Sequence, residues 1–342
     1  MTEQNSSDWL GLSGRVCVVT GGGGGIGRAT AVSLARAGAR VAAIDRDERG
    51  LEVTRKELVE ISKDHIVSRC DTASAESVTA ASESIEKSLG SCAVLVNTAA
   101  VLRPGGLEDL SLAEWNAVLS VNLTGYFLCA QIFGRQMRKA GRGSLVHIAS
   151  IAGSHAQGRS GAYSVSKAGV IMLSRQLAGE WGPQGIRSNV VSPGLVVTPM
   201  SKSFYDTPGV TERRTAMVPS RRIGSPQDMA DAILFLASDR SSYVNGEDHR
   251  RWRLCQHADE PGAAAWLRIT SRRGSNFVAT ISSKAAHLEP DGSQLNRGAD
   301  VRLISPRPAC GERSDCEAIR VRGSLRESEP VESAPHPNPL PA

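Results

Sequence analysis

Tyr163 and Lys167 stand four residues apart, and Ser150 precedes the tyrosine by thirteen. Within a helix, residues at that spacing share a face, so the pair brings an ammonium close to a phenol. A neighbouring cation favours the phenolate and draws a tyrosine down from its ordinary pKa of about 10 toward the range of a working general base. Ser150 adds a hydroxyl able to donate to a substrate oxygen. By themselves these residues read more readily as a core tyrosine, a solvated lysine and the end of a strand. A glycine run far upstream, Thr20-Gly21-Gly22-Gly23-Gly24-Gly25-Ile26-Gly27, tips the reading toward chemistry.

The run follows the β-branched segment Val16-Cys17-Val18-Val19-Thr20 and opens a helix expected over 26–37. Glycines at such a junction let backbone N–H groups approach a pyrophosphate, which the positive end of the helix dipole then stabilises. Five consecutive glycines leave two registers open, Gly22-x-Gly24-x-x-Gly27 and Gly21-x-x-x-Gly25-x-Gly27. Eighteen residues past Gly27, the second expected strand ends in Asp45, placed to accept hydrogen bonds from an adenosine ribose and to repel a 2′-phosphate. NAD is therefore favoured over NADP, with Arg46 next door as the residue that could reach a 2′-phosphate. An oxidised nicotinamide beside Tyr163 would push its phenol further toward phenolate.

The scaffold for these groups is legible from Gly14 to Asp239, where short β-branched runs alternate with longer amphipathic stretches. That is the pattern of an α/β, doubly wound parallel sheet of Rossmann type, buried on both faces. Six strands are expected at 16–20, 41–45, 66–70, 93–97, 144–150 and 187–192. Helices are expected near 26–37, 47–63, 74–88, 111–140, 162–182 and 226–238. A chain of 342 residues makes one large domain or two small ones. The net charge of +5 is mild and aromatics make up 4% of the chain, which argues against a nucleic-acid binder. The polar, acidic N-terminus has no signal-peptide pattern and no later segment reads as membrane-spanning, so the cytoplasm is the expected location. Seven scattered cysteines, with no zinc-like spacing, read as reduced thiols and leave no metal site.

Beyond Asp248 the rhythm stops. Residues 249–342 carry thirteen Arg against one Lys, whereas 1–248 carry twenty against six. The tail's apolar residues follow no sustained period, and its Pro-rich end, Ser333 to Ala342, cannot be helical. Two readings compete: a disordered extension or small second domain, and translation of a wrong frame or of intergenic DNA after a lesion near codon 248. The second is favoured, because Arg-rich, Lys-poor, aperiodic sequence is what GC-rich DNA gives out of frame. The division expected is a dinucleotide-binding domain over 1–248, including a substrate loop at 195–222, and a largely irregular tail over 249–342.

Residues of about 10–248 resemble the short-chain dehydrogenase/reductase family. Thr20-Gly21-x-x-x-Gly25-Ile26-Gly27 is similar to that family's cofactor loop, which settles the glycine register on the second spacing. Asp71 matches the family's adenine-binding Asp, and Asn97-Thr98-Ala99-Ala100 resembles its Asn-Asn-Ala-Gly, departing at the second and fourth positions. Asn122 matches the helix Asn that supports a water-linked proton relay to the lysine. Pro193-Gly194, Val196 and Thr198 fall in the stretch that holds the nicotinamide carboxamide.

The resemblance implies a secondary alcohol–ketone oxidoreductase with Ser150, Tyr163, Lys167 and Asn122 as its catalytic group. Tyr163 would take the hydroxyl proton, Lys167 would hold its pKa down and bind the nicotinamide ribose, and Ser150 would donate to the substrate oxygen. The substrate pocket is expected from Val101-Leu102-Arg103, 151–160 and 195–222, with Phe204, Tyr205 and Met217 apolar and His155 or Gln157 polar. Arg213, Arg214, Arg221 and Arg222 admit an alternative, a 3-oxoacyl-(acyl carrier protein) reductase-like enzyme meeting an acidic carrier. The family's last strand also contributes to subunit contacts, so a homo-oligomer, dimer or tetramer, is implied. Here that strand is expected to be missing or replaced, baring the sixth strand and part of helix 226–238. A catalytically impaired NAD-binding protein is then a further alternative.

Overall fold

The computed structural model describes residues 8–251 and, beyond them, only four short strands at 265–270, 276–281, 301–304 and 318–321. In residues 8–251, seven parallel strands lie in the order β3-β2-β1-β4-β5-β6-β7. They are β1 Val16–Thr20, β2 Arg40–Asp45, β3 Ile66–Arg69, β4 Val94–Asn97, β5 Gly143–Ile148, β6 Ile186–Pro193 and β7 Asp248–Arg251. All of β1, β4 and β5 is buried, as near-continuous Val and Leu runs require of strands covered on both faces. The order reverses between β1 and β4, whose registers pair Thr20 with Asn97, and this opens a crevice at the carboxyl ends of the strands.

Helices cover both faces: α1 Gly25–Arg36, α2 Glu48–Val59, α3 Ala75–Leu89, α4 Leu112–Leu119, α5 Gly125–Ala140, α6 Tyr163–Trp181, the short α7 Lys202–Tyr205 and α8 Val210–Met217, and α9 Pro226–Ala237. One core joins the sheet to α1 and α9 through Ala31, Leu34, Met229, Ile233 and Leu236. The opposite core joins it to α3 and α5 through Val78, Ile85, Phe133 and Met137. Side chains cap α2, α3, α4 and α9, by Asp47, Ser74, Ser111 and Ser225. No side chain caps α1, whose first N–H groups stay open toward the crevice.

Four expectations need correction. A seventh strand is present: β7 pairs with β6 from Val190↔Asp248 to Pro193↔Arg251, so the last four residues of β6 are not bare. Pairing uses backbone groups that any side chain supplies. The approach is fixed by Asn245 Oδ1 accepting from Ser188 N at 2.8 Å and by Asn189 Nδ2 donating to Val244 O at 2.8 Å. The apolar face of α9 is buried against α1, and of its large apolar residues only Phe235 stands well exposed, at 39%. The helix expected over 111–140 is continuous but contains a π turn, Ser120–Thr124, between α4 and α5. That stretch, Leu112–Ala140, is also long and apolar enough to cross a membrane by length and composition alone, contrary to the sequence reading. Half of its apolar window is buried within the protein, where α5 serves as a core helix.

The expectation of an irregular tail falls mostly outside the described residues. Within Cys255–Ala342 the four strands β8 Ala265–Thr270, β9 Asn276–Ile281, β10 Val301–Ile304 and β11 Ala318–Val321 form an antiparallel sheet in the order β11-β10-β9-β8.

Candidate active site

The carboxyl ends of the strands open into one cleft of about 610 Å3. Of the residues named from sequence, it is lined by Gly21, Gly25, Ile26, Gly27, Asp45, Arg46, Asp71, Ala99, Ser150, Tyr163, Lys167, Pro193, Gly194, Val196 and Thr198. Thr20, Asn97 and Asn122 are not on its surface but immediately behind it, and are buried.

Two glycines of the loop are sterically required. Gly21 has φ +68°, and a Cβ there would meet Ala99 N at 2.7 Å. A Cβ on Gly27 would meet Gly21 O at 2.1 Å, so α1 can cross the loop this closely only without a side chain. Gly24, at φ −172°, is extended, with nothing within 4 Å of its Cβ position. The result is a backbone cradle under the uncapped end of α1, which fits a pyrophosphate. Thr20 sets the loop's far edge, its Oγ1 accepting from Thr98 N at 3.1 Å and Ala99 N at 3.2 Å.

Asp45 is fixed by two backbone donors, Gly23 N on Oδ2 at 3.0 Å and Asp47 N on Oδ1 at 3.0 Å. Both oxygens keep acceptor capacity toward the cleft, which suits a ribose diol. Arg28, also on the cleft, has its guanidinium engaged by Gly23 O, by Thr54 Oγ1 at 3.0 Å and by Gly50 O at 3.2 Å. Asp71 holds its own turn, accepting from Ala73 N at 3.0 Å.

Tyr163 opens α6, and Lys167 follows one turn later with its Nζ 5.8 Å from the Tyr163 ring centre. The expected proximity is there, but the expected lowering of Tyr163 by Lys167 is not. Burial pushes the phenol up, and a hydrogen bond with Ser150 pulls it partly back. Lys167 is 1% exposed, and burial alone draws its ammonium down to about 7. Its Nζ donates to Ile148 O at 2.7 Å and to Tyr126 Oη at 3.3 Å.

Asn122 lies in the π turn, with Oδ1 accepting from Val101 N at 2.8 Å and Nδ2 donating to Val101 O at 3.0 Å and Ser166 Oγ at 3.1 Å. Its amide is thus spent on bracing the loop after β4 against α6. Asn97 Nδ2 contacts Tyr126 O at 3.3 Å and His147 Nδ1 at 3.2 Å. Tyr126 and His147 were not found from sequence. No local spacing marks them, since Tyr126 comes from α5, His147 from β5 and Lys167 from α6.

The far wall of the cleft is made by Pro199, Met200, Phe204, Tyr205 and Arg214. Arg214 stacks 4.9 Å from the Tyr205 ring centre and 5.9 Å from that of Phe204. Of the other expected pocket residues, Val101, Leu102 and Gln157 line the cleft, whereas Arg103, His155 and Met217 do not. Among the described residues no group of three His, Cys, Asp or Glu could hold a metal ion. The four described cysteines, Cys17, Cys70, Cys92 and Cys129, are free and buried.

Comparison with known proteins accords with this geometry. Residues 21–250 match the family described as Enoyl-(Acyl carrier protein) reductase. The D-threitol dehydrogenase of Mycolicibacterium smegmatis is 39% identical over 237 residues, covering 69% of this chain and 91% of that protein. The 3-oxoacyl-[acyl-carrier-protein] reductase of Escherichia coli is 35% identical over 241 residues, covering 70% and 96%. A solved structure from Beutenbergia cavernae, provisionally assigned as an NAD(P)-dependent gluconate 5-dehydrogenase and holding NADP at low occupancy, superposes with a TM-score of 0.67. It shares 35% identity and covers 70% of this chain and 96% of its own.

Proposed function

The chain belongs to the short-chain dehydrogenase/reductase family and is an NAD(P)-dependent oxidoreductase of the alcohol type, and from that premise we propose that it interconverts a secondary alcohol and a ketone with Ser150, Tyr163, Lys167 and Asn122 as its working group. The observation that carries this reading is the meeting of Ser150, Tyr163 and a fully buried lysine on the same cleft as the glycine cradle. A dinucleotide in that cleft supplies the hydride acceptor or donor at its nicotinamide. Gly21, Gly25, Ile26, Gly27, Asp45, Asp71, Ala99, Pro193, Gly194, Val196 and Thr198 would hold it.

In the direction of oxidation, Tyr163 accepts the alcohol proton as general base while Ser150 donates to the oxygen that gains charge. Burial works against the phenolate in the free protein even with Lys167 one turn away, so the base would form only with the added positive charge of an oxidised ring beside it. Asn122 acts through what it braces: its side-chain donors are already committed, so any proton path past it runs along the π-turn backbone. The fixed Asp45 carboxylate under Gly23 supports NAD over NADP, with exposed Arg46 as the competing contact.

Supporting a small hydroxylated substrate are the names of the threitol and gluconate relatives. The carrier-protein alternative is weakened because Arg222 is paired with Asp228 and Arg221 donates to Ala216 O. A homo-oligomer in the cytoplasm completes the reading, with exposed Phe127, Val165 and Met172 available to a second copy; a monomer by light scattering, or recovery with membranes, would contradict it.

Thermal unfolding of the full chain with each dinucleotide, followed by an assay on secondary alcohols, tests the whole. A ligand at a hundred times its Kd stabilises by about 2.7 kcal/mol. NAD is expected to give the larger shift. Tyr163→Phe should keep that shift while losing about 10²- to 10⁴-fold in turnover. A variant that oxidises alcohols as well as the parent would remove Tyr163 from the mechanism.

A further inference from the structure

We propose that Tyr126 is a positioning residue for Lys167, its buried hydroxyl aiming the ammonium at the cleft while His147 holds the Tyr126 ring from behind. This rests on the role given to Lys167 above.

An ammonium has three donors. One goes to Ile148 O at 2.7 Å and one to Tyr126 Oη at 3.3 Å. The Tyr126 hydroxyl proton is itself committed to Ile148 O at 3.1 Å, so the lone pairs of Oη are what Lys167 meets. Two donors are thus fixed in the wall, and the third is left for the cleft that Lys167 lines. The Nζ also lies nearer the Tyr126 ring centre, at 4.9 Å, than that of Tyr163, at 5.8 Å. In this wall a cation is held by neutral dipoles and a ring face.

His147 keeps Tyr126 in place without adding charge. The two rings stack with centres 6.0 Å apart and planes at 28°. Asn97 donates through Nδ2, which makes His147 Nδ1 the acceptor and puts the imidazole proton on Nε2. Burial and the Lys167 charge draw His147 down to about 3, so it is neutral at working pH. The titratable groups facing Lys167 are Tyr163 on its own helix, Tyr126 with Cys129 beside it on α5, and His147 on β5. Burial raises Tyr126, Tyr163 and Cys129 and lowers His147, so of these groups only the ammonium is drawn into the range between pH 6 and about 9 in the free protein.

The sign follows. An acceptor on the ammonium favours its charged form, so removing the hydroxyl lowers the Lys167 pKa further. With about one hydrogen bond to a charged group lost, the shift should be near one pH unit. The readout is affinity for the reduced dinucleotide, whose neutral ring leaves Tyr163 protonated, by calorimetry on the full chain from pH 6 to 9.5, for the parent, Tyr126→Phe and Lys167→Met. Affinity should fall with rising pH as Lys167 loses its proton. In Tyr126→Phe that fall should come about one unit earlier, with affinity at pH 6 within about twofold of the parent. Lys167→Met should abolish the fall. A merely structural loss would weaken binding evenly and leave the midpoint in place, and an unmoved midpoint in Tyr126→Phe overturns the proposal alone. If Lys167→Met binds and titrates like the parent, the reading of Lys167 fails and takes the proposal with it. Tyr126→Met, which loses ring and hydroxyl together, gives a second and larger shift should the phenylalanine variant prove too unstable to titrate.

Discussion

Thr20, Asn97 and Asp45 hold the cofactor side of the cleft through hydrogen bonds between adjacent strands and loops, whereas the opposite wall, from Thr198 to Arg214, hangs on two short helices and a guanidinium stacked on two rings. On the first side a displaced backbone atom has nowhere to go, because strands β1 and β4 are buried on both faces. On the second, Met200 and Phe204 are partly exposed and Thr198 bonds mainly within its own turn, to Ser201. On the proposed reading, most of the groups that would hold the dinucleotide sit on the rigid side. On the same reading, the residues that would meet a particular substrate sit on the side that can change without unfolding the sheet.

The sharpest way to break this contrast is inside the glycine loop. Gly27→Ala places a Cβ 2.1 Å from Gly21 O, a backbone atom, so loop or helix must shift. Dinucleotide affinity should fall about a hundredfold, roughly 2.7 kcal/mol, as read by calorimetry. Gly24→Ala, three residues away with open space and extended backbone, should change affinity less than about threefold. Equal losses at both positions would mean the loop is not the rigid cradle described.

Asp45→Ala should come next. It removes the carboxylate proposed to face the ribose while freeing Gly23 N and Asp47 N, and the ratio of NAD to NADP affinity should drop about tenfold, near 1.4 kcal/mol. An unchanged ratio would pass cofactor choice to Arg46. The smallest effect belongs to the opposite wall: Arg214→Ala should raise the KM for the alcohol about three- to tenfold, with kcat within twofold and the melting temperature within about 1 °C. A large fall in melting temperature would show that this wall carries stability and is not the softer of the two.

Much of the site could be read from local pattern. The glycine loop, Asp45, Ser150, Tyr163 and Lys167 each belong to a turn or a helix face whose geometry depends on a few neighbouring residues, and all reach the cleft. Asn97 and Asn122 were named from the family resemblance, and neither reaches the cleft surface, since a motif does not say which atoms a side-chain amide will meet. The Lys167 environment was not legible. Its partners Tyr126 and Ile148 lie 41 and 19 residues away and converge only when α5, β5 and α6 pack. The last strand was misread for a related reason: Asp248 to Arg251 lacks an apolar period, yet β6 offers its backbone groups to any residue that arrives in register.

The sequence by itself determined the parallel sheet, the dinucleotide loop at its switch point and the residue types available for proton transfer, because period and turn chemistry act over a few residues at a time. Only the tertiary structure decided the burial that pushes Tyr163 up and Lys167 down, the retreat of Thr20, Asn97 and Asn122 behind the wall, and the gathering of Tyr126 and His147 around the ammonium. Burial and hydrogen-bond partners are set by elements distant in the chain, and desolvation by all of them together moved both site pKa values in ways that the spacing of one pair could not.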